Sequence, residues 1–222
     1  MSCVLAIALL TNIAGAQELR LPATFLGDLP CGDCEAIRYH LDLWPDHIFQ
    51  LHREWIGKDF FKDEVGRWRI DPARRALILL GSGERPLQFQ IKGPDTLRQL
   101  ALDGTVIVSS LPYELATKGS LSPAELTLSL AGEMTYMADA ARFTECLTRR
   151  NYPVAQEHDF VRMQSAYRET VRKPGAKLYV TFEGSITARP RMEGGGDEPT
   201  IVVQRFGKAW PRKKCRGPTE AR

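Results

Sequence analysis

The chain has 222 residues, 30 Lys and Arg against 27 Asp and Glu, a net charge of +3 and 43% hydrophobic residues. A charge of that size does not by itself call for a polyanionic partner. The length, about 205 residues once a leader is removed, suits two domains of roughly 100 residues better than one small barrel.

Residues 4–16 (VLAIALLTNIAGA) carry no charge and end in Ala14-Gly15-Ala16, an A-x-A-like cleavage site before Gln17, so residues 1–16 read as a removable export signal. The run is too short for a membrane span, which needs about 20 apolar residues, and no later segment reads as one. No Lys or Arg precedes it, and Gln17 stands where a lipid-modified leader would place Cys; Cys3 lies at the wrong end of the apolar run. These residues predict a periplasmic or envelope location without support for a lipid anchor. Removal of the leader leaves Cys31, Cys34, Cys146 and Cys215, an even set that in an exported chain suggests two disulfides. Three pairings are possible, and the spacing favours 31 with 34 and 146 with 215, each pair inside one expected domain.

The first expected domain covers residues 19–116. Cys31-Gly32-Asp33-Cys34 stands before Ile37, Tyr39, Leu41 and Leu43, which alternate with Arg38, His40 and Asp42 in the period of a half-buried strand. Pro45-Asp46-His47 reads as a turn. Phe49, Leu51 and Trp55 then line one face of a return strand, with Gln50, His52 and Glu54 on the other. Further strands are predicted at 66–70, 76–80, 87–91, 97–102 and 105–109, separated by Asp71-Pro72, Gly81-Ser82-Gly83, Gly93-Pro94-Asp95 and Asp103-Gly104. This is an antiparallel meander closing into a barrel or sandwich. Residues 117–124, with Gly119, Ser120, Ser122 and Pro123, read as a linker.

The second expected domain covers residues 125–215. Strands are predicted at 126–136, 142–146 and 152–155, then a helix at 159–171, then strands at 178–188 and 200–210 joined through Gly194-Gly195-Gly196. Phe160, Met163, Tyr167 and Val171 form the helix stripe and Asp159 is a candidate N-cap. Three strands, a helix and two strands is the order of an OB-fold, so the fold class is all-β and mainly antiparallel throughout. A Cys146–Cys215 bridge would tie the C-terminus onto the barrel, closing a loop of about 70 residues for roughly 4 kcal/mol. Lys208, Arg212, Lys213 and Lys214 lead into a basic tail at 216–222. In an exported chain with little aromatic interleaving, that tail is read as solvated or facing an anionic envelope surface, with no nucleic-acid partner.

Four chemistries remain open for Cys31 and Cys34: a structural disulfide, a redox-responsive switch, a soft-metal site for Cu(I) or zinc, and a thioredoxin-type catalyst. Thiolates suit Cu(I), and the x-x spacing lets both sulfurs reach one ion. Tetrahedral zinc wants four ligands, and no second C-x-x-C or H-x-x-H is present. A thioredoxin-type thiol sits at a helix N-terminus in a βαβ unit, whereas a strand is predicted here, and Asp33 and Glu35 disfavour a thiolate. His40 and His52 fall on polar faces of paired strands with His47 in the turn, a weak metal pattern. Met134, Met137, Met163 and Met192 do not cluster, and Met163 belongs to the helix core. No G-x-S-x-G, H-E-x-x-H or Walker motif occurs, and nothing marks two carboxylates as acid and base.

Leu26-Gly-Asp-Leu-Pro-Cys-Gly-Asp-Cys34, followed by the alternating strand and Phe49-Gln-Leu51, resembles the N-terminal domain of the NlpE copper-resistance lipoprotein family. Gly132-Glu-Met-Thr-Tyr-Met-Ala-Asp-Ala-Ala-Arg-Phe-Thr-Glu-Cys146, with the late Trp210 and Cys215, looks like the OB-type domain that accompanies it. The resemblance implies a small lipocalin-like barrel carrying the Cys pair and an OB-fold with its own disulfide. It further implies an outer-membrane protein facing the periplasm, which signals envelope stress to a Cpx-type sensor kinase and is linked to copper tolerance and surface sensing. The expectation is a non-enzymatic envelope protein working through protein contacts, with copper at Cys31 and Cys34 as the one possible cofactor. The alternatives are a carrier of a small apolar ligand and a periplasmic thiol-disulfide oxidoreductase.

Overall fold

A computed structural model describes residues 19–117, 119–191 and 194–215. The export signal expected at 1–16, the basic tail at 216–222 and Met192 lie outside the described residues.

Eight strands close a barrel in chain order: β1 (Ala23–Leu29), β2 (Ile37–Leu43), β3 (Ile48–Trp55), β4 (Phe61–Asp71), β5 (Ala76–Leu80), β6 (Leu87–Gly93), β7 (Thr96–Gln99) and β8 (Glu114–Ala116), with Ala116 pairing back onto Leu26. All neighbours are antiparallel, so the β1–β2, β3–β4, β5–β6 and β7–β8 connections share one end. Alternation builds the interior. Tyr39, Leu41 and Leu43 of β2 and Phe49 and Leu51 of β3 meet Phe25, Leu77, Leu79, Phe89, Leu97 and Leu115 in one core. At Gly66 of β4, a Cβ would strike the Leu80 carbonyl and lie 2.7 Å from the Phe49 ring, so the missing side chain lets β5 and Phe49 close the wall.

Three expectations for the barrel are corrected. Residues 23–29 form a full strand, although the alternation read from sequence began only at Ile37. β4 begins at Phe61 rather than at 66. Residues 105–109 form no strand. Leu100 and Val106 make a single bridge, and Asp103 accepts from the Thr105 amide and hydroxyl at 2.9 and 2.7 Å. The Val106–Val108 alternation finds no ladder, and the barrel closes instead through β8.

The second unit contains β9 (Leu128–Met137), β10 (Ala140–Glu145), β11 (Asn151–Pro153), α1 (Phe160–Thr170), β12 (Leu178–Pro190) and β13 (Asp197–Trp210). Its sheet order is β11-β10-β9-β12-β13. A parallel bridge between Val154 and Ile201 brings the two outer strands together, giving an OB-type barrel. Helix α1 buries Phe160, Met163 and Tyr167 against Met134, Phe143, Tyr152, Phe182 and Ile201. Asp159 stands at the N-cap position but makes no cap bond. Its carboxylate instead accepts from the Phe206 amide at 2.7 Å, tying the helix to β13. The hairpin turn between β12 and β13 uses Gly194 and Gly196 at φ of 82° and 85°.

The two units share packing. Ile48 and Val65, on the outer face of β3 and β4, are buried in the second core. Arg67 donates to the Thr148 carbonyl at 2.6 Å and Arg150 pairs with Asp46 at 2.9 Å. The segment read as a linker runs across the outside of the first barrel. The Ser122 amide donates to Thr24 at 2.8 Å, the Ala124 amide to Asp42 at 3.0 Å and the Thr127 amide to Asp63 at 2.7 Å. No helix among the described residues is long and apolar enough to cross a membrane.

Candidate functional site

Cys31 and Cys34 lie in the β1–β2 connection at the barrel rim. They are bonded to each other, with Cα atoms 5.3 Å apart, and both are half-buried. β1 ends at Leu29 and its register with Ile37 fixes the loop at both ends. The loop is also tied to the β3–β4 connection: the Ile56 amide donates to the Ala36 carbonyl at 2.9 Å, and Lys58 pairs with Asp33. The Lys58 hydrogen bond and charge hold the exposed Asp33 carboxyl below its usual range. A strand follows the pair, so the helix N-terminus that lowers a catalytic thiol's pKa is not supplied here.

Cys31, Asp33 and Cys34 form a cluster whose ligand atoms lie within 4.8 Å of one another. Its donor set does not fit a soft cation in this form. The two sulfurs are spent on one covalent bond, and Lys58 already occupies the carboxylate.

Cys146 and Cys215 are bonded, with Cα atoms 5.1 Å apart and a sequence separation of 69. The bridge joins the end of β10 to the segment after β13. There the Cys215 amide donates to Glu133 at 3.3 Å, while Lys177 holds the same carboxylate at 2.9 Å. The hydrogen bond from Lys177 is the main reason the Glu133 carboxyl sits below its ordinary value.

His40 and His52 are direct cross-strand partners on the outside of the barrel. They do not share a ligand site. His52 Nδ1 meets Asp63 at 2.6 Å, and His40 Nε2 meets the Ser122 carbonyl at 2.9 Å and Asp42 at 3.3 Å. Each aspartate thus joins a barrel histidine to the strap of residues 122–127. His47 stacks on Trp68 in the turn, with ring centroids 4.4 Å apart.

Two features of the rim escaped the sequence reading. The first is a charged group inside the wall. Arg53 continues the inward face of Phe49 and Leu51, and it pairs with Glu64 of β4. Side-chain exposure is only 13% and 5%. Ser82 donates to Glu64 at 2.8 Å and Lys62 lies 3.3 Å away. Burial pushes the Glu64 carboxyl up, but the Arg53 charge, the Ser82 hydroxyl and Lys62 outweigh it, and the net direction is down. The period-two count that selected Phe49, Leu51 and Trp55 also includes residue 53, so the signal was present. The second feature is the β7–β8 connection, where Leu102, Val106, Val108 and Leu111 stand exposed, Val108 at 97%.

Residues 25–110 match the family profile described as the NlpE N-terminal domain, and residues 124–216 match the NlpE C-terminal OB domain. The chain is 32% identical over 212 residues to Lipoprotein NlpE of Escherichia coli (strain K12), which covers 91% of this chain and 84% of that protein. Among solved structures, the Cpx pathway activator NlpE from Escherichia coli is 25% identical, covers 88% of this chain and 98% of that one, and has a TM-score of 0.39. A Shewanella oneidensis chain named as a lipoprotein is 28% identical and covers 46% of this chain and 93% of that one, with a TM-score of 0.40.

Proposed function

The chain belongs to the NlpE family, and from that membership we propose that it is an envelope protein that activates a Cpx-type stress response through protein contacts. The Escherichia coli relative is described as a lipoprotein and as the Cpx pathway activator. Transferred to this chain, that role places it in the cell envelope and gives it a sensor protein as partner.

The observation that carries the reading is the apolar rim segment. Leu102, Val106, Val108 and Leu111 expose hydrocarbon in the β7–β8 connection, which leaves the barrel at the same end as the disulfide loop, and exposed apolar side chains concentrated in one segment favour a protein partner. The Cys31–Cys34 disulfide acts here as a brace on the rim, clamped to the β3–β4 connection through Lys58 and Ile56. Its opening would loosen the loop that borders β1. The pair therefore serves as a structural element whose reduction alters the contact surface, without turning over substrate.

Copper tolerance enters this reading only through the signalling role, because the closed pair has no thiolate to offer. In a host with a Cpx-responsive reporter and no NlpE of its own, production of the chain should raise reporter output. Unchanged output at normal accumulation contradicts the proposal. In an insulin-reduction assay the purified protein should show no turnover; turnover abolished by Cys34→Ser would replace the proposal with an oxidoreductase.

A further inference from the structure

The OB-type unit carries a basic face that the proposed signalling role does not use. Tyr179 of β12 alternates with the core residues Leu178 and Val180, so Tyr179 and its cross-strand partners, Glu133 on β9 and Trp210 on β13, face away from the core. Residues 211–215 then fold back over that face. The Lys213 amide donates to the Trp210 carbonyl at 3.2 Å, the Cys215 amide donates to Glu133 at 3.3 Å, and the Cys146–Cys215 bridge holds the segment down.

The fold-back gathers cations around one ring. Lys208 Nζ lies 4.2 Å and Lys213 Nζ 5.5 Å from the Trp210 centroid, and Lys213 Nζ also lies 4.5 Å from the Tyr179 centroid. Arg212 and Lys214 adjoin Lys213 in sequence, and all four cations are exposed. The carboxylates of β9 and β12, Glu133 and Glu183, are already taken by Lys177 and Arg205, while Asp197 and Glu198 lie at the opposite end of β13. Among the described residues, none of Lys208, Arg212, Lys213 and Lys214 is paired with a carboxylate. Single-sign charge concentrated in this way attracts an anionic partner. Trp210 narrows its chemistry. The indole is 38% exposed among the ammonium groups, the combination of aromatic ring and cation that suits the headgroup level of a bilayer. Single-stranded nucleic acid asks instead for successive stacking platforms. Tyr179 is only 7% exposed, which leaves a single ring.

We propose that this face docks on the anionic phospholipid surface of a membrane, with Lys208, Arg212, Lys213 and Lys214 on lipid phosphates and Trp210 among the headgroups. The proposal rests on the envelope location argued above and is independent of the sensor contact.

The test is binding of the full mature chain to phosphatidylcholine vesicles with and without phosphatidylglycerol. Vesicles containing phosphatidylglycerol should bind at least about tenfold more tightly, and high salt should abolish the difference. Binding should shift the tryptophan emission to the blue, and Trp210→Phe should remove that shift. Lys208→Ala and Lys213→Ala should each weaken binding about fivefold without appreciably lowering the melting temperature. Lys92→Ala, which removes the same charge from an exposed position on the first barrel, should change it little. Equal binding to both vesicles, or none to either, overturns the proposal, as does a loss from Lys92→Ala equal to that from Lys213→Ala. Tighter binding to a single-stranded oligonucleotide than to the anionic vesicles overturns it in favour of a nucleic-acid partner. The Cpx-responsive reporter reads the signalling role separately, so failure of either proposal is distinguishable from failure of the other.

Discussion

At the scale of single residues, the pair most open to test is Arg53 and Glu64. Removing one partner of a buried ion pair leaves the other charge uncompensated and typically costs about 3–5 kcal/mol. Glu64→Gln should lie near the low end of that range in urea unfolding, because Ser82 and Lys62 remain to bond the amide oxygen. The Glu64 carboxyl titrates lower folded than unfolded. Its contribution is therefore present above the unfolded pKa of about 4.3 and fades as the pH falls through the folded value. Glu64→Gln should accordingly flatten the acid limb of the stability curve. His40 has the opposite sign. The Asp42 hydrogen bond raises its pKa more than burial lowers it. The resulting stability is fully present below about pH 6.5 and is lost as the pH rises through the folded pKa. His40→Gln should therefore destabilise the protein more at pH 6 than at pH 8, as read by urea midpoints. These networks were only half legible in the sequence. Alternation puts residue 53 inside and residues 40 and 52 outside. What it cannot give is the neighbour across β4 or the path of residues 122–127, because those partners are set by closure and register.

At the scale of elements, the two disulfides differ in what they constrain. In the chain-entropy description, closing a loop the size of Cys31–Cys34 stabilises by about 2 kcal/mol and one the size of Cys146–Cys215 by about 4 kcal/mol. Cys146→Ser should therefore lower the guanidinium midpoint further than Cys31→Ser, and the Cys31→Ser loss should be accompanied by faster amide exchange confined to residues near the rim. The strands that were easy to foresee were those with clean alternation bounded by turn residues, such as β2 and β5. β1 was hidden because Gly27 and Asp28 interrupt its pattern. The segment at 105–109 misled for the opposite reason: two valines at period two suggest a strand, but the sheet has no edge left to receive them. Asp159 illustrates a third kind of gap. The sequence marks a helix start there, and tertiary structure then redirects the carboxylate to β13.

At the scale of the whole molecule, the OB-type unit buries Ile48 and Val65 of the eight-stranded barrel, and Arg67 and Arg150 make polar contacts between the two. Ile48→Ala deletes hydrocarbon from the second core by changing a residue of the first unit, at a typical cost of about 2–5 kcal/mol. Scanning calorimetry should show the OB unit destabilised by this distant change; two independent transitions, with only the first one shifted, would contradict the shared packing. Composition and spacing foretold two β units and a Cys pair at a strand entry. They could not foretell that the connection between the units is strapped down, since its Gly, Ser and Pro content reads the same whether the backbone is solvated or bonded to Asp42 and Asp63.

The exposed apolar side chains of the β7–β8 connection are the proposed contact with a sensor protein. The direct measurement is binding of the purified mature chain to the periplasmic domain of a Cpx-type sensor, comparing wild type with the double substitution Val108→Asp and Leu111→Asp. Both positions are exposed, so folding and melting temperature should be retained while affinity falls by about tenfold or more, as for loss of an interface anchor. Binding that is undiminished in the double variant, or no detectable binding by the wild type, would contradict the account.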